Sequence, residues 1–182
     1  MQNTHSKRVP ADAIVTLKDG TRVPARGVRS GDAAALQRLV GRSSRRSVEL
    51  RYFGPLKGLS DEQARRFAEV DGRDRFALVA LDPEDPDEIV GVVRYEREGG
   101  TNAAEYAALV EDRFQGRGLG IGLTRRLIEI ARGNGVERMH ALVMRENRVM
   151  LRLLRSLELP ERRRLEDGAE HVEIELRSGA AA

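Results

Sequence analysis

The sequence predicts an α/β fold in a single domain, and three observations carry that expectation. Short apolar runs bounded by breakers read as buried strands, as in Phe76–Leu81 followed by Asp82-Pro83-Glu84-Asp85-Pro86. Segments with apolar residues at i, i+4, i+7 and i+8, such as Leu123, Leu127, Ile130 and Ala131, read as helices that lay one stripe on a sheet. Between a strand-like run and that helix lies a glycine-dense turn, Gln115–Gly122. A length of 182 residues suits one domain with a full core, placed at 13–177 between tails at 1–12 and 178–182.

The elements follow in order. Ile14–Leu17 and Arg22–Val28 flank Lys18-Asp19-Gly20-Thr21, and the Asp-Gly pair signals a hairpin. Asp32–Val40 has helical periodicity, with Ser30 as its N-cap. Ser44–Phe53 is a second helix, stopped by Gly54-Pro55. Ser60-Asp61-Glu62-Gln63 is a capping box, which opens a third helix over Asp61–Val70. Phe76–Leu81, Glu88–Glu98 and Ala103–Val110 are strands joined by turns at Asp82–Asp87 and Gly99–Asn102. The long helix after the glycine turn ends at Gly133 and Gly135. Met139–Val143 is a strand, and Asn147–Leu157 is a helix with Met150, Leu153, Leu154 and Leu157 as its stripe. Glu161–Leu165 and His171–Leu176 form a last hairpin about Asp167-Gly168.

The glycine turn presents several main-chain N–H groups at the positive end of a helix, which is a phosphate-binding device. A dinucleotide fingerprint needs glycine at the first, third and sixth positions. From Gly116 and Gly118 the sixth position is Ile121, and from Gly118 and Gly120 it is Leu123. A P-loop needs Gly-Lys-Ser/Thr, and the lysines are Lys7, Lys18 and Lys57 only. The pattern that fits is Gln/Arg-x-x-Gly-x-Gly/Ala, here Gln115-Gly116-Arg117-Gly118-Leu119-Gly120.

With that motif, and with Asn147 opening a helix after the strand Met139–Val143, the chain resembles the GNAT superfamily of acyl-CoA-dependent N-acyltransferases. The middle run β-β-β-α-β-α is that family's core order. The resemblance implies a mixed, mostly antiparallel central sheet flanked by helices, with acetyl-CoA as co-substrate and no metal. It implies that the main chain of Gln115, Gly116, Arg117, Gly118, Leu119, Gly120, Ile121 and Gly122 holds the CoA pyrophosphate, with Asn147 as a further contact. Asn147 is equally a good N-cap, and the two roles are compatible. Beyond the superfamily, the chain is similar to bacterial protein lysine acetyltransferases of the Pat type. That likeness runs through Tyr52-Phe53, Leu59-Ser60, Val70-Asp71, Arg75–Ala80, Ala104-Glu105 and the glycine loop, about as far as Pro160. Glu105 matches the Glu that serves there as general base. An N–H of Leu109 or Val110 would polarise the carbonyl in a gap where this strand splays from the next. The chain departs from the pattern at Leu154, where many superfamily members carry a tyrosine acid, and at Leu157–Pro160, where the family has Gly-Phe. Some Pat-type enzymes add a cyclic-nucleotide module, and none is expected within this chain.

The chemistry demands a base, because a lysine ammonium, with a reference pKa of ~10.4, arrives protonated at neutral pH. Glu105 and Glu111 lie six residues apart, so strand parity puts both on one face. Glu111 reads as an ordinary solvated strand-end charge. His140 alternates with core positions and reads as structural, and Arg113 and Arg117 lie near the loop either as phosphate contacts or as solvated charges. The chain has no Cys, which removes disulfides and an acyl-Cys intermediate, so an amine attacks the thioester directly. The three His are scattered, which argues against a metal cluster.

Charge and composition narrow the partners. The pI of 9.7 reflects arginine rather than a large net charge, which is +3. The clusters Arg42/Arg45/Arg46 and Arg162/Arg163/Arg164 read as solvated surface. Aromatic residues make up 4%, too few for base-stacking platforms, which argues against nucleic acid. No apolar run reaches the ~20 residues of a membrane span, and the first ten residues lack a signal peptide's apolar stretch. A cytoplasmic location is the default expectation. The acceptor classes left open are a protein lysine, for instance on an acyl-CoA synthetase, and a small-molecule amine; a non-catalytic CoA-binding sensor is the third reading.

Overall fold

The computed structural model describes residues 11–177. Most of the predicted tail 1–12 and all of 178–182 fall outside the described residues. Eight strands form one sheet in the order β1-β2-β3-β4-β5-β6-β8-β7. They are β1 (Ala13–Thr16), β2 (Arg22–Gly27), β3 (Arg75–Leu81), β4 (Ile89–Arg97), β5 (Ala103–Val110), β6 (Arg138–Met144), β7 (Glu161–Glu166) and β8 (Ala169–Glu175). Every neighbouring pair is antiparallel except β5 with β6. Five helices cover the sheet: α1 (Ala33–Arg42), α2 (Arg45–Tyr52), α3 (Asp61–Ala68), α4 (Leu119–Gly133) and α5 (Arg148–Arg155).

Alternation along the strands divides the core in two. One face of the sheet carries Leu78, Ala80, Val90, Val93, Tyr95 and Tyr106, which pack on α4 through Leu119, Leu123 and Leu127. The other carries Val79, Ile89 and Leu109, which pack on Leu36, Leu39, Val48 and Ala64 of α1–α3. Burial on both faces explains why β3 and β4 read as nearly continuous apolar runs.

The helix ends follow local chemistry. Ser60 accepts from the Gln63 N–H at 3.1 Å, and the Gln63 side chain accepts from the Ser60 N–H at 2.9 Å, as the capping box requires. Ser44 caps α2 through the Ser47 N–H. The predicted Ser30 cap is corrected. Ser30–Asp32 is a 3-10 turn, and α1 starts at Ala33. Asp32 instead takes two hydrogen bonds from the Arg26 guanidinium and one from the Arg29 N–H, so a partly buried ion pair sets this entry.

The glycine loop is bound to the first hairpin. The Lys18 N–H donates to Arg117 O at 2.9 Å, and Lys18 Nζ donates to Gly116 O at 3.1 Å. Arg117 grips Asp19 Oδ2 and reaches the Thr21 hydroxyl. Gly122, one turn into α4, lies so close to β1 that a Cβ there would stand 2.5 Å from Val15 Cγ1.

Gly122→Ala should therefore destabilise the fold. Overpacking against a stiff β-branched side chain costs ~1–3 kcal/mol, which exceeds the ~1 kcal/mol of helix propensity that alanine adds. Urea denaturation should show the loss, and Val15→Ala in the same chain should restore most of it. Equal stability of Gly122→Ala and wild type would show that α4 and β1 are not in contact.

Candidate active site

The site is built where β5 leaves β6. β5 pairs with β4 along its length, from Arg97↔Ala104 to Gly91↔Val110. It pairs with β6 at three positions only, Ala103↔Arg138, Ala104↔Met139 and Glu105↔His140. β6 meanwhile pairs with β8 from Arg138 to Met144. Past Glu105 the two central strands diverge, and a wedge opens between them.

Register decides which amides face the wedge. Glu111 N–H bonds Val90 O, and Glu98 N–H bonds Ala103 O. Hydrogen-bonded pairs alternate in an antiparallel ladder, so the odd residues of β5 turn their N–H toward β4. The amide of Leu109 therefore belongs to the β4 ladder opposite Val92, which removes Leu109 as a donor into the gap. The amides of Val110 and Ala108 point to the wedge, and Ala108 was not singled out by the sequence.

The loop beyond β5 is pinned by side chains. Gln115 Nε2 donates to Val110 O at 2.8 Å and to the Ser47 hydroxyl at 3.0 Å. Asp112 accepts from the Ser44 N–H and from the hydroxyls of Ser44 and Ser47. The Gln115 side chain is thus a strut from β5 to α2. Gly116 and Gly118 have φ of 70° and 100°, left-handed values that favour glycine, and Gly118 is the α4 N-cap. A Cβ at Gly116 would meet nothing within 4 Å, so open space lies over the loop. The first ladder bond of α4 joins Gly122 N–H to Gly118 O, which leaves the N–H groups of Leu119, Gly120 and Ile121 at the helix's positive end. That arrangement suits a diphosphate.

Other predicted contacts are redistributed. Gly122 is explained by its approach to Val15, and the Leu119 side chain is wholly buried, so only its main chain can serve a ligand. The Arg117 guanidinium is committed to Asp19 and that of Arg113 to Asp82 and Glu111. Asn147 Oδ1 accepts from the Met150 N–H at 3.1 Å, which is the N-cap role. His140 stacks on His171 and lies 3.0 Å from Glu98, in keeping with a structural role. Leu154 is buried, so no hydroxyl stands at the position of a tyrosine acid. Tyr106 faces α4, bonded to Thr124 at 2.7 Å, and burial pushes its phenol up to about 12.

The two carboxylates have opposite surroundings. Glu105 is exposed, has no ion pair among the described residues, and stands at the point of divergence. The solvated reading of Glu111 is overturned: it is 6% exposed and held by Arg42 and Arg113. Arg42 also pairs with Glu88 and donates to Ile89 O, so this exposed arginine is tied to the sheet by its guanidinium. Sequence reading missed Lys18, Asp19 and Arg42 as supports of the loop, because each acts across a long separation in the chain. A buried guanidinium, Arg94 of β4, was missed as well; its signal was a charge inside the apolar run Ile89–Tyr95.

A three-residue parallel junction, a wedge lined by main-chain amides and a glycine loop at a helix N-terminus suit an extended ligand that ends in a diphosphate. A profile of the "Acetyltransferase (GNAT) family" matches residues 45–158. Acetyltransferase PA5475 of Pseudomonas aeruginosa is 31% identical over 138 residues, 75% of this chain and 74% of that protein. Acetyltransferase Pat of Mycolicibacterium smegmatis is 33% identical over 126 residues, 59% of this chain and 36% of its own length. The crystal structure of the GNAT domain of S. lividans PAT superposes with a TM-score of 0.84 at 30% identity, over 96% of this chain and 99% of that one. The chain belongs to the GNAT acetyltransferase family, whose members take their acyl group from acyl-CoA.

Two outcomes test this geometry. Glu111→Ala leaves Arg42 and Arg113 without their shared carboxylate. It should lower stability by ~1–3 kcal/mol in urea, discounted because both arginines remain partly hydrated. A loss below measurement would place Glu111 in solvent. The Asp19 carboxyl is held down at about 2, from 3.8, by the Thr21 N–H, the Thr21 hydroxyl and Arg117. A depressed folded value means that the Asp19 clamp is fully present above pH 3.8 and is lost as pH falls through about 2. Carbon-detected NMR of Asp19 should report that midpoint, and Arg117→Gln should move it upward. A midpoint near 3.8 in the intact protein would show that the clamp is open.

Proposed function

We propose that the chain moves an acetyl group from acetyl-CoA to the side-chain amine of a protein lysine, with Glu105 as general base. The observation that carries this reading is the unpaired carboxylate of Glu105 at the fork of β5 and β6. It adjoins the wedge that receives the Ala108 and Val110 amides. Likeness to the GNAT domain of S. lividans PAT, and to Pat of M. smegmatis, supports a protein lysine as acceptor. An acyl-CoA synthetase is the protein substrate this reading favours. The structure of yncA from Salmonella typhimurium with acetyl-CoA shares the fold, with a TM-score of 0.67 at 21% identity.

Acetyl-CoA supplies a thioester carbonyl with a fair leaving group. The residues of this chain supply the rest. The main chain of Gly116–Ile121 and the α4 N-terminus hold the pyrophosphate, with Asn147 as a further contact. Glu105 takes one proton from the incoming ammonium, directly or through water, and so frees the nitrogen lone pair. The nitrogen then bonds to the carbonyl carbon, and the amide of Val110 or Ala108 stabilises the oxyanion that forms. Collapse restores the carbonyl and breaks the C–S bond. The bonded nitrogen sheds its second proton, which passes through solvent to the thiolate, and Glu105 gives its proton to water, so the products are N-acetyl-lysine and CoA with net release of one proton.

The test is CoA release with acetyl-CoA and an acyl-CoA synthetase, together with mass spectrometry of the acylated lysines. Glu105→Gln should reduce kcat by ~10²–10⁴-fold, the usual worth of a positioned base, with little change in acetyl-CoA binding. Equal rates in the two proteins would remove Glu105 as base. Modification of small amines without any modified lysine would move the acceptor class.

A further inference from the structure

One cation of the interior has no counter-charge among the described residues. Arg94 lies on β4 and is 8% exposed. Its guanidinium rests 4.4 Å from the centroid of the Phe67 ring, and among the described residues its side chain makes one long hydrogen bond, 3.5 Å to Phe67 O. The nearest carboxylate along its strand, Glu96, is taken by Arg66 at 3.3 Å and Arg75 at 3.7 Å. Arg51 at the end of α2 faces the same space. It lies over the Tyr52 ring at 4.8 Å, and no carboxylate pairs with it among the described residues. Arg51 and Arg94 line one cavity under α1–α3, together with Tyr52, Phe67, Ala107 and Leu109.

Burying a guanidinium without an anion is costly, and placing a second one beside it adds to the cost. Burial first, and then the fields of Arg51 and Arg75, lower Arg94 to about 10, so it still carries its charge at neutral pH. An anion entering the cavity would relieve all of these terms at once. Its position is set by register. Arg94 is opposite Ala107, and Glu105 is the next residue of β5 on the same face. Diagonal neighbours on one face of an antiparallel pair stand ~7–8 Å apart at the backbone. A group bound by Arg94 therefore lies within a few bonds of an amine bound at Glu105.

We propose that Arg94, assisted by Arg51, is an anion subsite for the acceptor, so that preferred acceptors carry a carboxylate close to the reactive amine. A planar, forked guanidinium matches a carboxylate bidentately. The carboxylate has two possible sources with the same chemistry, an acidic side chain flanking the target lysine or the carboxylate of a free amino acid. This inference rests on the acceptor reading above for its amine, though the anion subsite can be tested without turnover.

The experiment compares matched acceptors that differ only in charge: a lysine peptide flanked by Glu against one flanked by Gln, and free amino acids against their amides. The acid-bearing member of at least one pair should show at least a ten-fold higher kcat/KM, mainly through KM, and Arg94→Met should collapse that ratio toward one. A peptide-only preference identifies a flanking acidic residue, and an amino-acid-only preference identifies a small acceptor. Equal kcat/KM within both pairs, or a preference that survives Arg94→Met and Arg51→Met together, overturns the proposal. Glutarate, a dicarboxylate without an amine, separates this from the transferase reading. It should raise the Tm of the wild type and not that of Arg94→Met, even if no acceptor is turned over. Loss of turnover with the glutarate shift intact would sink the acceptor reading alone, and absence of the shift in the wild type would sink the subsite. Arg94→Met should itself fold with unchanged or higher stability, because it removes an uncompensated charge; a large destabilisation would assign Arg94 a structural role instead.

Discussion

The constraint on which the rest of this structure depends is the short parallel junction between β5 and β6. β5 is held by β4 along its length and by β6 at three positions. A parallel pair this short would be weak alone. It persists because each strand has a full antiparallel partner on its other side, β4 for one and β8 for the other. Divergence then costs few hydrogen bonds within the sheet and leaves main-chain groups facing a cleft. Such groups are tolerable only where water or a ligand satisfies them. The wedge thus presents main-chain hydrogen-bonding groups in the middle of a sheet, the natural seat for an extended molecule that carries its own amide-like groups.

Charge is organised around that wedge with opposite solutions on one face. Glu111 is buried, but Arg42 and Arg113 satisfy it and tie α1, β4 and the loop together. Glu105 is exposed and has no ion pair among the described residues. It also stands opposite Glu96 in the ladder, a like-charge pairing that costs stability and is moderated because Arg66 and Arg75 hold Glu96. A carboxylate kept free in an unfavourable pairing fits a proton acceptor better than a structural tie. Arg94, two positions along β4 from Glu96, is the cationic counterpart: a buried charge without an ion pair among the described residues, on the same face as Glu105.

Much of the fold was legible in the chain because its signals are local. The Ser60/Gln63 capping box, the Asp19-Gly20 and Asp167-Gly168 turns, and the apolar stripes of α4 and α5 are decided by residues within a few positions of each other. The start of α1 was misread because the strongest partner of Asp32 is Arg26 on β2, so an ion pair displaced the simple cap at Ser30. The glycine loop was legible as a phosphate-binding turn. Its supports were not, since Lys18 and Asp19 reach it across roughly a hundred residues of chain.

The sequence by itself determined the type and order of the elements, the family, and the residues from which a site could be drawn. Strand parity, read along one segment, even placed Glu105 and Glu111 on a common face. Only the tertiary structure decided that one of them is buried between two arginines and the other left free, and that Val110 rather than Leu109 turns its amide to the wedge. The physical reason is that burial, counter-charge and hydrogen-bond direction belong to pairs of strands and helices. A single segment, however strongly patterned, does not contain its neighbours.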